Sequence, residues 1–156
     1  MRKRWGFSQP WYNFYPPKTD SLMTSVNTYD PDAHAAELGI RIIDAKTPAG
    51  VLALWDETTR TILTSPGLLR RQRRCVLAHE LAHAVNGDTH ALLDDVAARK
   101  RERRADLTAA GWLLDPVAVR TALAVSPDSL NAAAADLDVT PRILSAWLEG
   151  RKGERW

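Results

Sequence analysis

Five residues, His79-Glu80-Leu81-Ala82-His83, constrain this chain more than any other stretch. On an α-helix, side chains four apart stand one above the other on a single face. His79 and His83 can therefore hold one cation between them. Zinc accepts imidazole nitrogen and carboxylate oxygen, and a catalytic zinc keeps three protein ligands and a water. A glutamate directly after the first histidine is placed to take a proton from that water, which makes Glu80 the candidate general base. The motif needs a helix around it. Leu77, Leu81, Ala84 and Val85 follow the i, i+4, i+7, i+8 pattern and predict a core face opposite the histidines. Asn86-Gly87 supplies a stop. Arg70, Arg71, Arg73 and Arg74 read as solvated first turns of the same helix, and Cys75 as a buried structural cysteine.

A third ligand has to come from elsewhere. Glu102 lies 19 residues past His83, far enough for a connection and a second helix to cross the first. That helix is predicted from about Asp95 to Leu114. Asp106, four residues after Glu102, shares its face and is placed to accept a hydrogen bond from the free ring nitrogen of a ligand histidine. Asp88 and His90 stand as alternative third ligands. For the carbonyl oxygen of a reacting peptide, His90, Tyr29 and Arg103 are the candidate donors.

The pairing of HELAH with ERRADLTAAGWLLDP resembles the ImmA/IrrE metallopeptidases, whose second motif reads roughly E-x-x-A-[ND]-x-x-A-A-x-L-L-x-P. Glu102, Ala105, Asp106, Ala109, Ala110 and Leu114 fit, and Pro116 lies near its expected place; Gly111-Trp112 is a departure. The resemblance covers about residues 30 to 120. It implies a gluzincin-like fold and zinc-dependent endopeptidase activity. It implies metal ligation by His79, His83 and Glu102, a catalytic role for Glu80 and a supporting role for Asp106. It also implies a substrate class: a helix-turn-helix repressor controlling a phage, another mobile element or a stress regulon.

The rest of the chain frames this site. At 156 residues it holds one domain, or one domain and a small module. A net charge of +2 is too small to imply nucleic acid by itself. One cysteine excludes an internal disulfide and fits a reducing cytoplasm, and no apolar run approaches the roughly 18 residues of a membrane span. Residues 1–29 form an arm with seven of the eleven aromatic residues, six of them between Trp5 and Tyr15 and interleaved with prolines, read as a docking or mobile extension. Asp30-Pro31, Ser65-Pro66, Asp115-Pro116, Ser126-Pro127 and Thr140-Pro141 each read as an N-cap followed by the first helical residue. Residues 40–43, 51–55 and 60–64 read as strands, the last a return strand across the turn 56–59. One strand is expected at a sheet edge beside the helix, where it can pair with an extended peptide; the 60–64 segment is the expected one.

Residues 130–148 resemble a helix-turn-helix, with Ala134 in the first helix, Asp138 where a turn glycine is usual, and Leu144 and Trp147 facing inward in the second. Arg142 and Ser145 are the groups that helix offers to DNA. The expected fold is thus α+β and mostly helical. A small antiparallel sheet packs on the HExxH helix pair, and a helix-turn-helix-like pair ends the chain. Residues 1–29 are the arm, 30–125 the peptidase domain and 126–156 the helical pair. Two functions follow. One is a cytoplasmic zinc endopeptidase acting on a DNA-binding repressor. The other is a non-catalytic regulator that binds DNA or a repressor, its metal site structural or vestigial.

Overall fold

A computed structural model of the chain describes residues 28–89 and 93–153. Of the aromatic arm only Thr28 and Tyr29 fall among these, and His90 lies outside them. Helix α1 (Pro31–Glu37) starts as its Asp-Pro pair predicts: the Asp30 carboxylate accepts from the Asp32 amide at 2.9 Å. It ends before Gly39, whose φ of +65° suits a residue without a side chain. Three short strands follow, β1 (Arg41–Asp44), β2 (Ala53–Asp56) and β3 (Thr61–Thr64).

The sheet is mixed, which corrects the expected antiparallel one. Its order is β1-β3-β2, with β1 parallel to β3 and β2 antiparallel to it. The hairpin from β2 to β3 forms as expected, and the Asp56 carboxylate closes the turn by accepting from the Thr58 and Thr59 amides. But the segment between β1 and β2 carries the chain past the central position, which β3 then fills. The 60–64 segment therefore has no free edge: Thr61, Ile62 and Thr64 are buried between two neighbours. The strand with a free edge beside the histidine helix is β2.

That helix, α2, spans Arg70–Asn86. It does not begin at Ser65-Pro66. Gly67, at φ +80°, turns the chain first, and Leu69 is the N-cap, its amide bonded to the Gln72 side chain at 3.1 Å. Gly87, at φ +70°, ends it as predicted. Helix α3 (Asp95–Leu113) is capped by Asp94, which accepts from the Ala97 amide at 2.8 Å. Helix α4 (Pro116–Val125) is capped by Asp115. Helix α5 (Leu130–Asp136) begins three residues after the Ser126-Pro127 pair, with Ser129 as its cap. Helix α6 (Pro141–Gly150) follows Thr140. Between α5 and α6, Asp138 takes a left-handed φ of 52°, the place where a helix-turn-helix usually has glycine.

Helix α2 is buried on two sides, and this positions the site. Leu77 and Leu81 pack with Ala35, Ile40, Ala53, Trp55 and Ile62 of α1 and the sheet. Cys75 and Ala78 join the larger cluster built by α3, α4, α5 and α6, including Leu113, Val119, Leu144 and Trp147. Val85, expected in the core, is 50% exposed. It stands about 80° around the helix from Leu77, and the chain turns away two residues later. Small residues on α3 (Ala105, Ala109 and Ala110, all fully buried) allow close approach of the neighbouring helices. No helix among the described residues is long and apolar enough to cross a membrane.

Candidate metal centre and active site

The carboxyl half of α2 and the middle of α3 bring His79, His83 and Glu102 together. One ligand atom from each lies within 4.8 Å of the others. The two Nε2 atoms are 3.0 Å apart, His79 Nε2 is 3.2 Å from Glu102 Oε2, and His83 Nε2 is 3.4 Å from Glu102 Oε1. Ligands about 2.0–2.1 Å from a tetrahedral zinc stand about 3.3 Å from each other, so these spacings suit one zinc ion.

Both outer ring nitrogens are already engaged. His79 Nδ1 meets Asp106 Oδ1 at 2.8 Å, as the spacing on α3 predicts. His83 Nδ1 meets Asp88 Oδ2, also at 2.8 Å. Each pairing leaves Nε2 facing the common point, the tautomer a metal ligand needs. Each aspartate then meets an arginine: Arg142 Nε donates to Asp106 Oδ2 at 2.9 Å, and Arg104 donates to Asp88. Asp88 is therefore the partner of His83 and stands outside the three-residue ligand cluster. Two chains, His79–Asp106–Arg142 and His83–Asp88–Arg104, brace the pair of imidazoles. Loss of such a partner typically lowers metal affinity roughly 10- to 100-fold. Asp88→Ala and Asp106→Ala should each weaken zinc binding by that amount, measured by competition with a chromogenic chelator. Unchanged affinity would make the aspartates bystanders.

Glu80 lines the same cleft as the three ligand residues and also reaches the sheet. Its Oε2 accepts from the Trp55 amide of β2 at 2.9 Å. Burial raises its pKa above the usual carboxylate value, against the lowering effect of the two histidines. Burial alone would lower the pKa of His79, but its hydrogen bonds to Asp106 and Glu102 raise it to about 9. His83 follows the same pattern, raised by Glu102 and Asp88 against its burial. The same bonds to the two histidines hold Glu102 well below the usual range. Burial would raise Asp106, yet hydrogen bonds from His79 and Arg142 lower it.

These groups open onto a cleft of about 190 Å³. Ala53, Leu54, Trp55 and Glu57 form its strand side, and Asp88, Thr89 and Arg101 also line it. Two expected carbonyl donors are not there. Tyr29 bonds to His34 Nδ1 at 2.8 Å and stacks on Trp112, because its large ring is buried against α1 and α3. Arg103 is held by Glu149 of α6 at 2.8 Å. Arg101 and Arg104 could not be singled out beforehand, because an arginine-rich run looks the same whether its members face solvent or a site, and Arg142 reads as a group offered to DNA until α6 is seen to pack on α3. Cys75 is buried, as expected, and its Sγ accepts from the Thr140 amide at 3.3 Å.

No curated protein and no solved structure matches the chain. A family model does: the IrrE N-terminal-like domain, Peptidase_M78, over residues 35–148. That stretch runs from α1 into α6, beyond the 30–120 of the motif resemblance. With the HExxH pair, Glu102 and Glu80 placed as described, the chain belongs to the Peptidase_M78 family of metallopeptidases.

Proposed function

We propose that the protein is a zinc-dependent endopeptidase in which His79, His83 and Glu102 hold Zn²⁺ and Glu80 is the general base. The observation that carries this is the convergence of three ligand atoms at tetrahedral spacing beside a fourth group, Glu80, that ligation does not use. A structural metal would not require that glutamate. Zinc bound there would supply positive charge that acidifies a water and polarises a carbonyl. Glu80 would take the proton of the attacking water and hand it to the departing amide nitrogen. Asp106 and Asp88 would keep the two imidazoles in register. The free edge of β2 would pair with an extended segment of substrate and lay its scissile bond along the cleft.

The substrate we propose is a cytoplasmic DNA-binding repressor of a phage, mobile element or stress regulon; its support is the resemblance of the paired motifs to peptidases with that role. The regulator reading draws less support. On α6, Arg142 is committed to Asp106, and Glu149 to Arg103 of α3. A helix so held offers little to a DNA groove. We keep residues 1–29 as a docking arm and 126–156 as a helical pair that walls the peptidase unit of 30–125.

Metal content tests the reading directly. Protein purified without added metal should carry about one zinc per chain, and Glu102→Ala, which leaves only two ligands, should carry much less. A wild-type chain that stays metal-free when zinc is supplied would overturn it.

A further inference from the structure

Amide hydrolysis of this kind puts negative charge on the carbonyl oxygen, and rate depends on a donor fixed where that charge appears. Tyr29 and Arg103 are turned away from the cleft. Arg101 lines it. It precedes Glu102 on α3, so the two side chains leave the helix about 100° apart. Sheet strand β2 and helix α3 pack against α2 from different sides, with the cleft between them. Glu80 is tied to the β2 side through Trp55, and Arg101 belongs to the α3 side.

The Arg101 guanidinium is fixed but not satisfied. Its Nη1 donates to the Thr89 carbonyl at 2.9 Å, which fixes the head group beside another residue of the cleft lining. Its Nε lies 3.8 Å from Glu102 Oε1, beyond hydrogen-bond reach, and is buried with no partner. Nη2 makes no hydrogen bond among the described residues. A guanidinium has five N–H donors, no acceptor, and a charge that does not titrate in proteins. Buried donors are almost always paired, and an unpaired one beside a reactive centre points to an oxygen that arrives with a ligand.

We infer that Arg101 is a catalytic residue that donates to the oxygen of the scissile carbonyl as the carbon becomes tetrahedral. The inference rests on the peptidase reading and extends it. Water oxygen bonds to the carbonyl carbon while Glu80 takes the water's proton. The carbonyl π pair moves onto oxygen, where Arg101 meets it with a charge-assisted hydrogen bond and transfers no proton. As the pair returns, the C–N bond breaks, and the proton on Glu80 passes to the leaving nitrogen. A lysine would offer a point charge without the planar fork, so it should replace Arg101 only in part.

The test separates this role from metal binding. Wild type, Arg101→Met and Arg101→Lys are loaded with cobalt in place of zinc. Each is then titrated with inorganic phosphate, a tetrahedral oxyanion, and the visible spectrum of the cobalt is followed. That spectrum reports on phosphate at the metal and ignores phosphate bound to surface arginines. Arg101→Met should bind phosphate about tenfold or more weaker than wild type, with Arg101→Lys between them and metal affinity unchanged in both. Equal phosphate affinity in all three overturns the inference, as does a wild type whose cobalt spectrum phosphate does not move. Parallel loss of metal affinity would overturn it too, by making Arg101 a prop for Glu102. A wild type that takes up no metal is a different failure, that of the peptidase reading itself.

Discussion

Replacing Glu80 by glutamine should leave zinc in place and slow cleavage by roughly 10²–10⁴-fold, the usual contribution of a positioned general base. The substitution keeps the shape of the side chain. Its amide oxygen can still accept from the Trp55 amide, so the contact between α2 and β2 survives. What it removes is a basic oxygen. In the native chain, burial lifts the Glu80 pKa above the usual carboxylate value while the histidines pull it down, and a carboxylate with a raised pKa is the stronger base toward a water proton. Metal content and cleavage should be measured on one sample, with a protein that the wild type cleaves. Normal zinc with a normal rate would remove Glu80 from the mechanism. Loss of zinc would mean that Glu80 serves the metal and not the water.

The second large effect is on pH. In the metal-free protein, the His79 pKa of about 9 means that zinc must displace a proton at neutral pH. Apparent zinc affinity should rise by nearly tenfold per pH unit above pH 7 and level off near 9, a change of roughly fiftyfold, and the raised His83 acts in the same direction. The metal-free fold should respond in the opposite sense. A pKa raised from 6.5 contributes stability that is fully present below that value and is lost as pH rises through about 9. Glu102, held low, contributes stability that is present above its ordinary pKa of 4.5 and fades in acid. Raising the pH from 7 to 9 should therefore lower the melting temperature of metal-free protein and tighten zinc binding. Calorimetry in two buffers of different ionisation enthalpy would count the protons released. A pH-independent zinc affinity over this range would contradict the hydrogen-bonded arrangement of His79, His83 and Glu102.

The site was legible where chemistry follows the period of one helix. His79 with His83, and Glu102 with Asp106, each stand four residues apart, and that spacing alone puts each pair on one face. The caps at Asp30, Asp115 and Gly87 were legible for the same reason: each acts on its own first or last turn. What could not be read is what depends on distant parts of the chain. Strand patterns at 40–43, 51–55 and 60–64 locate strands without giving their order, so the parallel pairing of β1 with β3 and the free edge of β2 were missed. Two of the five Ser/Thr/Asp-Pro pairs open no helix, because a proline that suits a first helical turn suits an ordinary turn as well. Arg142, 36 residues from Asp106, meets it only because α6 packs along α3.

That last contact joins two parts of the chain that the motifs kept separate. A single arginine near the start of α6 grips the carboxylate that steadies His79, and Arg103 clasps the other end of α6 through Glu149. The seating of α6 and the occupancy of the metal centre are therefore one linked equilibrium. Whatever draws α6 off α3 loosens an imidazole, and an ion that fixes the imidazole holds α6 down by the same free energy. Helix α6 is a place where a partner could reach the chemistry without entering the cleft.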